Sequence, residues 1–312
     1  MQENDYFTFP EQGKLNIEIG NCVEVIKRFR EEGVLFDAVV SDPPYGIAIQ
    51  GYSSWDHGEL VFNREYWQLV SSVLKPGGFL VAFAAGRKYH RLAVAVEDAG
   101  FTIYPMMQWQ FAGGLPKPAN LSELFDRDNV EDRKILGTKT GSGFTTANEF
   151  HGAQARLTKN FVVKERGVSE EAKKWDGLYY GVNTLKPAQE PILLAQKPIE
   201  EKRMIDSVRK HGVGALNVGA LKQRNGHWPT TIFEFAKVSK KDHKSSHPSV
   251  KPIDLMEEIC RLVCPPEGHI LDPFAGTGTT GAAAIRLGFD ATVIEMNPEM
   301  ESVIRDRVNH RR

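Results

Sequence analysis

The chain has 312 residues, of which 41% are hydrophobic and 25% charged, a composition ordinary for a globular fold and unlike a disordered or collagen-like chain. Lys+Arg 39 against Asp+Glu 40 leaves a net charge of −1, which excludes a uniformly basic nucleic-acid-coating protein but not a locally basic face. Three cysteines, Cys22, Cys260 and Cys264, are too few for a disulfide framework and lack the CxxC spacing of a zinc site, so no metal is expected; Cys260 and Cys264, one helical turn apart, read as packing residues.

The first ten residues, MQENDYFTFP, show no charged-then-apolar signal pattern, and no apolar run approaches the roughly 20 residues that span a bilayer. The expectation is a cytoplasmic protein without a membrane partner. LNIEI (15–19) reads as a strand and CVEVIKRFREEG (22–33) as an amphipathic helix. FDAVVSD (36–42) is apolar enough for a strand buried on both faces of a parallel sheet. The segment 64–78 reads as a helix ended by Pro-Gly-Gly, 79–85 as a strand, 87–100 as a helix and 101–111 as a further strand.

The C-terminal part repeats the plan. A helix is expected over 252–264, a strand over 269–275, a small-residue helix over 279–288, a strand over 291–296 and a closing helix over 298–311 begun by proline. Such alternation implies an α/β fold with a doubly wound, mostly parallel sheet. Between the halves periodicity weakens, except for one convincing strand in LKPAQEPILLAQKP (185–198). Residues 116–250 hold 23 Lys/Arg against 16 Asp/Glu, so the middle is net positive and the ends net negative. That asymmetry fits a polyanionic partner or a solvated loop region. The expected organisation is a core of 1–115, 185–198 and 246–312, with an irregular insert of 116–184 and 199–245.

Two stretches carry chemistry. Asp42-Pro43-Pro44-Tyr45-Gly46 follows a strand directly, at the carboxyl edge where open α/β sheets bind ligands. Two prolines fix the backbone and remove two N–H donors, leaving the Asp42 carboxylate and the Pro43 carbonyl as acceptors beside the Tyr45 ring. Two acceptors and a flat ring suit a planar group bearing an amine, although a plain Pro-Pro turn would look the same in isolation. The second stretch, Leu271 to Thr280 (LDPFAGTGTT), again follows a strand and opens a helix. Gly276 and Gly278 permit a sharp turn and close ligand approach. The pattern is neither GxGxxG nor GxxxxGK[ST], which disfavours phosphate cradling. Glu295, at the end of the next strand, sits where an acidic residue accepts from ribose hydroxyls, so a nucleoside-type cofactor is implied.

DPPY followed by FxGxG resembles the S-adenosylmethionine-dependent amino-methyltransferases of DNA, in the circularly permuted order called their β group. His247 to Pro252 (HPSVKP), Trp109 to Lys117 and Lys186 to Pro198 are similar to further family segments, so the resemblance covers most of the chain. It implies a Rossmann-like, circularly permuted core. It also implies that Asp42 and the Pro43 carbonyl accept hydrogens from the target amine, that Pro44 stiffens the corner and that Tyr45 stacks on the base. Phe274, Gly276 and Gly278 would line the methionine end of the cofactor, with Ser249 and Lys251 near its carboxylate and Glu295 on the ribose, and Asp42, Asp272 and Thr279 would also be cofactor-binding. Asn21 stands where the family usually has Asp bonding the adenine amine, and its carbonyl offers an acceptor too.

The implied reaction is methylation of an exocyclic base amine in duplex DNA, with the base flipped out at a cost of a few kcal/mol. Acceptors on the amine hydrogens localise the nitrogen lone pair, and positioning contributes up to roughly 7–11 kcal/mol. Lys237, Lys240, Lys241 and Lys244 would meet phosphates unless they form a solvated loop. Trp175, Tyr179, Tyr180 and Trp228 would stack on DNA or pack internally. Asp in the tetrad favours adenine N6. Cytosine N4 is the first alternative, RNA or a protein amide the second, and a DNA-binding module with a degenerate cofactor site the third. Some β-group relatives dimerise, so a homodimer is an expectation by analogy.

Overall fold

The structure, a computed structural model, describes residues 13–47, 59–112, 118–127, 134–142, 158–164, 168–238 and 250–309. The chain divides into two compact units, one formed by Met1–Ala112 with Gln189–Arg312 and one by Gly113–Ala188.

The larger unit starts with β1 (Leu15–Ile19), α1 (Cys22–Glu31), β2 (Phe36–Ser41), α2 (Arg64–Ser72), β3 (Leu74–Phe83), α3 (Tyr89–Asp98), β4 (Thr102–Ile103) and β5 (Met107–Gln110). The smaller unit holds β6 (Ala119–Asn120), α4 (Leu121–Phe125), β7 (Ile135–Ser142), β8 (Thr158–Lys164), α5 (Glu170–Lys174) and β9 (Tyr179–Tyr180). The larger unit resumes with β10 (Gln189–Gln196), α6 (Met204–His211), α7 (Val218–Asn225), β11 (Ile232–Glu234), α8 (Ile253–Val263), β12 (His269–Asp272), α9 (Thr279–Arg286), β13 (Asp290–Glu295) and α10 (Met300–Asn309).

Its sheet runs β1-β13-β12-β2-β3-β10-β5-β11, with β4 also paired to β10. The pairs from β1 to β3, and the β5–β11 pair, are parallel; β10 alone runs antiparallel to β3, β4 and β5. Alternation along the strands feeds two apolar layers. Ala38, Val40, Val81 and Ile270 pack with Leu255, Ile259 and Ala283 from α8 and α9. Val39, Leu80, Ala82 and Leu271 pack with Ile26, Val70 and Leu92 from α1, α2 and α3. Helices therefore cover both faces, which is the doubly wound arrangement expected from the strand–helix alternation.

Three expectations change. The helix predicted over 64–78 stops at Ser72, because Leu74 to Gly78 belong to β3: Phe36 pairs with Leu74 and Ala38 with Phe79, so Pro76 and its glycines form an irregularity inside the strand. The single strand over 101–111 is two, interrupted at Tyr104 to Met106. Finally, the described part of 199–245 is built into the larger unit and not into an insert. β11 extends the sheet on β5, and Leu221 and Phe233 are buried in the layer beneath α8. Three-residue strands and short helices leave too little periodicity to read.

In the smaller unit, β7 and β8 form an antiparallel hairpin and β6 pairs with β9. Asp126 ties α4 to α5 by accepting from the backbone N–H of Val168 and Ser169. Trp175 stacks on Phe125 with ring centroids 6.2 Å apart, so packing accounts for that aromatic, while Tyr179 and Tyr180 are exposed.

Gly278 holds a left-handed φ of 76° at the start of α9, and a Cβ there would lie 2.8 Å from Ile304 Cγ2 of α10. Gly278→Ala should therefore cost about 1–3 kcal/mol of unfolding free energy. Denaturant titration checks this.

Candidate active site

β2 and β12 are neighbours, with Val39 opposite Leu271, so the two chemistry-bearing turns leave the sheet side by side. The Ser41 hydroxyl donates to Asp272 Oδ1 at 3.1 Å and ties the strand ends together. β13 flanks β12 and delivers Glu295 to the same edge. These ends open into one cavity of about 590 Å³, within the usual range for small-molecule sites.

One part of the cavity is built by the glycine turn. Gly276 has a φ of 52°, and its N–H donates to Glu295 Oε2 at 2.8 Å; the N–H of Asn297 donates to Oε1 at 2.9 Å. Burial raises the Glu295 carboxyl above its usual range, opposed by these backbone donors. Asp272 is almost fully buried and accepts from the N–H of Phe274 at 3.0 Å. Burial lifts it to about 6, against bonds from Thr280, Phe274 and Ser41. Asn21 caps α1, accepting from the N–H of Val23 at 2.9 Å, and also lines the cavity.

Asn21, Asp272, Phe274, Gly276, Thr279 and Glu295 thus share one cavity, with apolar walls from Leu60, Val61, Ile294 and Met300. A bent backbone, a strand-end carboxylate beside it and apolar walls fit a nucleoside carrying a thioether-type chain. Gly278 stands between Thr277 and Thr279, which line the cavity, and its missing Cβ lets α10 approach α9.

The other part is the tetrad. Asp42, Pro43, Pro44 and Tyr45 all line the same cavity. Lys251, expected near the cofactor carboxylate, lines this cavity and is hydrogen-bonded to the tetrad. Its Nζ lies 2.6 Å from Asp42 Oδ2, 3.0 Å from the Tyr45 hydroxyl and 3.3 Å from Glu190 Oε2, with a side chain only 4% exposed. The Tyr45 hydroxyl also lies 2.8 Å from Asp42 Oδ1 and 3.0 Å from Glu190 Oε2. Burial works against the Lys251 charge, but the two carboxylates overcome it and hold the ammonium above its ordinary range. Burial likewise opposes ionisation of Glu190, and Lys251 and Lys237 still hold it below its usual range. Burial, then Asp42 and Glu190, keep the Tyr45 phenol protonated well beyond its ordinary range.

Glu190 has no role assigned from sequence: it lies in the family-like segment 186–198, but a lone Glu beside an apolar run does not show which groups it will face. Lys237 is half-exposed, with Nζ 3.8 Å from Glu190 Oε1 and over the Phe111 ring. Ser249, Lys240, Lys241 and Lys244 lie outside the described residues. All three cysteines are buried and free; burial pushes the Cys22 thiol up to about 11, so it is no thiolate nucleophile. Among the described residues, no helix is long and apolar enough to cross a membrane.

The family model described as DNA methylase, of the N6/N4 methyltransferase type, matches residues 36–306. The chain is 28% identical to Type II methyltransferase M.HindIII of Haemophilus influenzae over 87% of its own length and 88% of the relative's. It is 25% identical to Type II methyltransferase M2.DpnII of Streptococcus pneumoniae, over 87% and 82%. The structure of M1.HpyAVI with SAM superposes with a TM-score of 0.54 at 19% identity, covering 95% of this chain and 100% of that one. PvuII DNA methyltransferase (cytosine-N4-specific) gives 0.56 at 14%, over 97% and 91%. The chain belongs to the S-adenosylmethionine-dependent DNA amino-methyltransferases of the N6-adenine/N4-cytosine type.

Two predictions follow the site's electrostatics. Asp272 titrates higher folded than unfolded, so its stabilising contribution is complete below about pH 4 and is lost as pH rises through about 6. Asp272→Asn should flatten that decline and gain about 1–3 kcal/mol at pH 7, read from urea titrations across the window. Lys251→Met leaves the part-buried Asp42 carboxylate without its cation and Glu190 with Lys237 alone, and should cost about 1–3 kcal/mol at pH 7, read the same way.

Proposed function

We propose that the chain transfers a methyl group to the N6 amine of adenine in a specific duplex DNA sequence, acting on a flipped-out base. What carries this reading is that the acceptor-rich tetrad and the Gly276–Glu295 turn open into one cavity. Bound there, S-adenosylmethionine supplies an electrophilic methyl on sulfonium. Glu295 would hold its ribose hydroxyls, Asn21 its adenine amine, and Asp272, Phe274, Gly276 and Thr279 its methionine end.

Asp42 and the Pro43 carbonyl accept the two amine hydrogens of the target base, and the Pro43-Pro44 backbone fixes both acceptors before the base arrives. Hydrogen bonds from the amine hydrogens to these acceptors localise the nitrogen lone pair for in-line attack, and the surplus proton of the methylated nitrogen would leave through Asp42 to solvent. The Tyr45 ring, anchored at its hydroxyl by Asp42 and Glu190, stacks on the base and offsets part of the flipping cost. Asp as the first residue of the tetrad favours adenine within the resemblance noted above. The basic middle of the chain, Lys237 included, would meet phosphates, with the smaller unit reading sequence.

Unmethylated duplex DNA incubated with labelled S-adenosylmethionine and digested to nucleosides should yield N6-methyladenine. N4-methylcytosine would overturn the choice of base, and no labelled nucleoside would overturn the enzyme. Asp42→Ala should lower single-turnover transfer by about 10²–10⁴-fold while cofactor affinity by calorimetry stays near wild type. Wild-type turnover in that variant would remove Asp42 from the chemistry.

A further inference from the structure

We propose that Glu190 is a positioning residue for methyl transfer: its carboxylate shares the Lys251 ammonium with Asp42 and thereby leaves Asp42 an acceptor the substrate amine can use. This deepens the proposed function and rests on Asp42 being the amine acceptor. Glu190 belongs to β10, which runs antiparallel to β3, β4 and β5 in the larger unit's sheet, so its amino end lies at the carboxyl end of β3. There, Lys251 Nζ stands 2.6 Å from Asp42 and 3.3 Å from Glu190, shielded from solvent on a side chain 4% exposed.

The groups facing this ammonium are Asp42 and Tyr45 after β2 and Glu190 on β10, with Lys237 behind Glu190. Four charges therefore alternate in sign from Asp42 through Lys251 and Glu190 to Lys237. A buried lysine given Asp42 alone would form a one-to-one ion pair. Its charge would then compete directly with the weakly polar amine for the carboxylate's lone pairs. A second carboxylate divides the attraction. The Tyr45 hydroxyl lies within 3.0 Å of both carboxylates and can donate its one proton to either.

Glu190→Gln keeps size and hydrogen bonding but removes the charge. Single-turnover methylation at saturating cofactor and DNA should fall at least about tenfold in Glu190→Gln, with S-adenosylmethionine affinity within about twofold of wild type. Glu190→Asp, which keeps the charge, should recover most of the loss. An unchanged rate in Glu190→Gln would overturn the proposal, as would equal loss in both variants or a parallel loss of rate and cofactor affinity. If Glu190→Gln does not fold, Glu190→Asp alone decides: a rate at least half that of wild type supports the charge, and a lower one overturns it. The labelled nucleoside in the wild-type digest reads the proposed function separately from these variant ratios.

Discussion

A lysine ammonium out of reach of water stays charged only among carboxylates, because isolating a charge in a protein interior costs several kcal/mol. Lys251 meets that demand with residues from two other segments, Asp42 after β2 and Glu190 on β10. The pairing fixes the chain after position 250, the Asp42 side chain and the Tyr45 hydroxyl in one network. Moving Asp42 would break its 2.6 Å pair with Lys251, so the acceptor geometry is favoured before substrate arrives. That is the kind of preorganisation a reaction limited by alignment requires.

Sheet order supplies the other half of the arrangement. The tetrad and the glycine turn are some 230 positions apart in sequence, yet β2 and β12 pair directly, and Ser41 bonds to Asp272 where they leave the sheet. Parallel pairing puts both carboxyl ends at one edge, and β13 adds Glu295 there. β10 contributes from its amino end because it runs the other way. The rule that ligands gather at the carboxyl edge thus holds for the parallel strands, and the reversed strand obeys it through its opposite end.

Sequence reading worked where a single element carried the signal. The buried apolar run of β2, the amphipathic pattern of α1 and the small-residue helix α9 lie where periodicity placed them. It faltered where pairing outweighed local preference. Pro76 and its glycines look like a stop, but cross-strand partners on β2 carry β3 through them. Residues 199–234 look loop-like because α6, α7 and β11 are short, yet Leu221 and Phe233 are buried against the sheet. Gly278 fits a ligand-facing motif, and helix packing against Ile304 adds a demand for glycine that no local pattern shows.

The chain by itself determined the reaction's vocabulary: a rigid acceptor corner, a glycine turn and a distant carboxylate, each a local pattern whose chemistry follows from residue type and spacing. Which of these groups share a cavity, and that Lys251 lies between Asp42 and Glu190, only the tertiary structure decided. The physical reason is that ion pairing and burial depend on distances between segments far apart in sequence, and no local pattern encodes those distances.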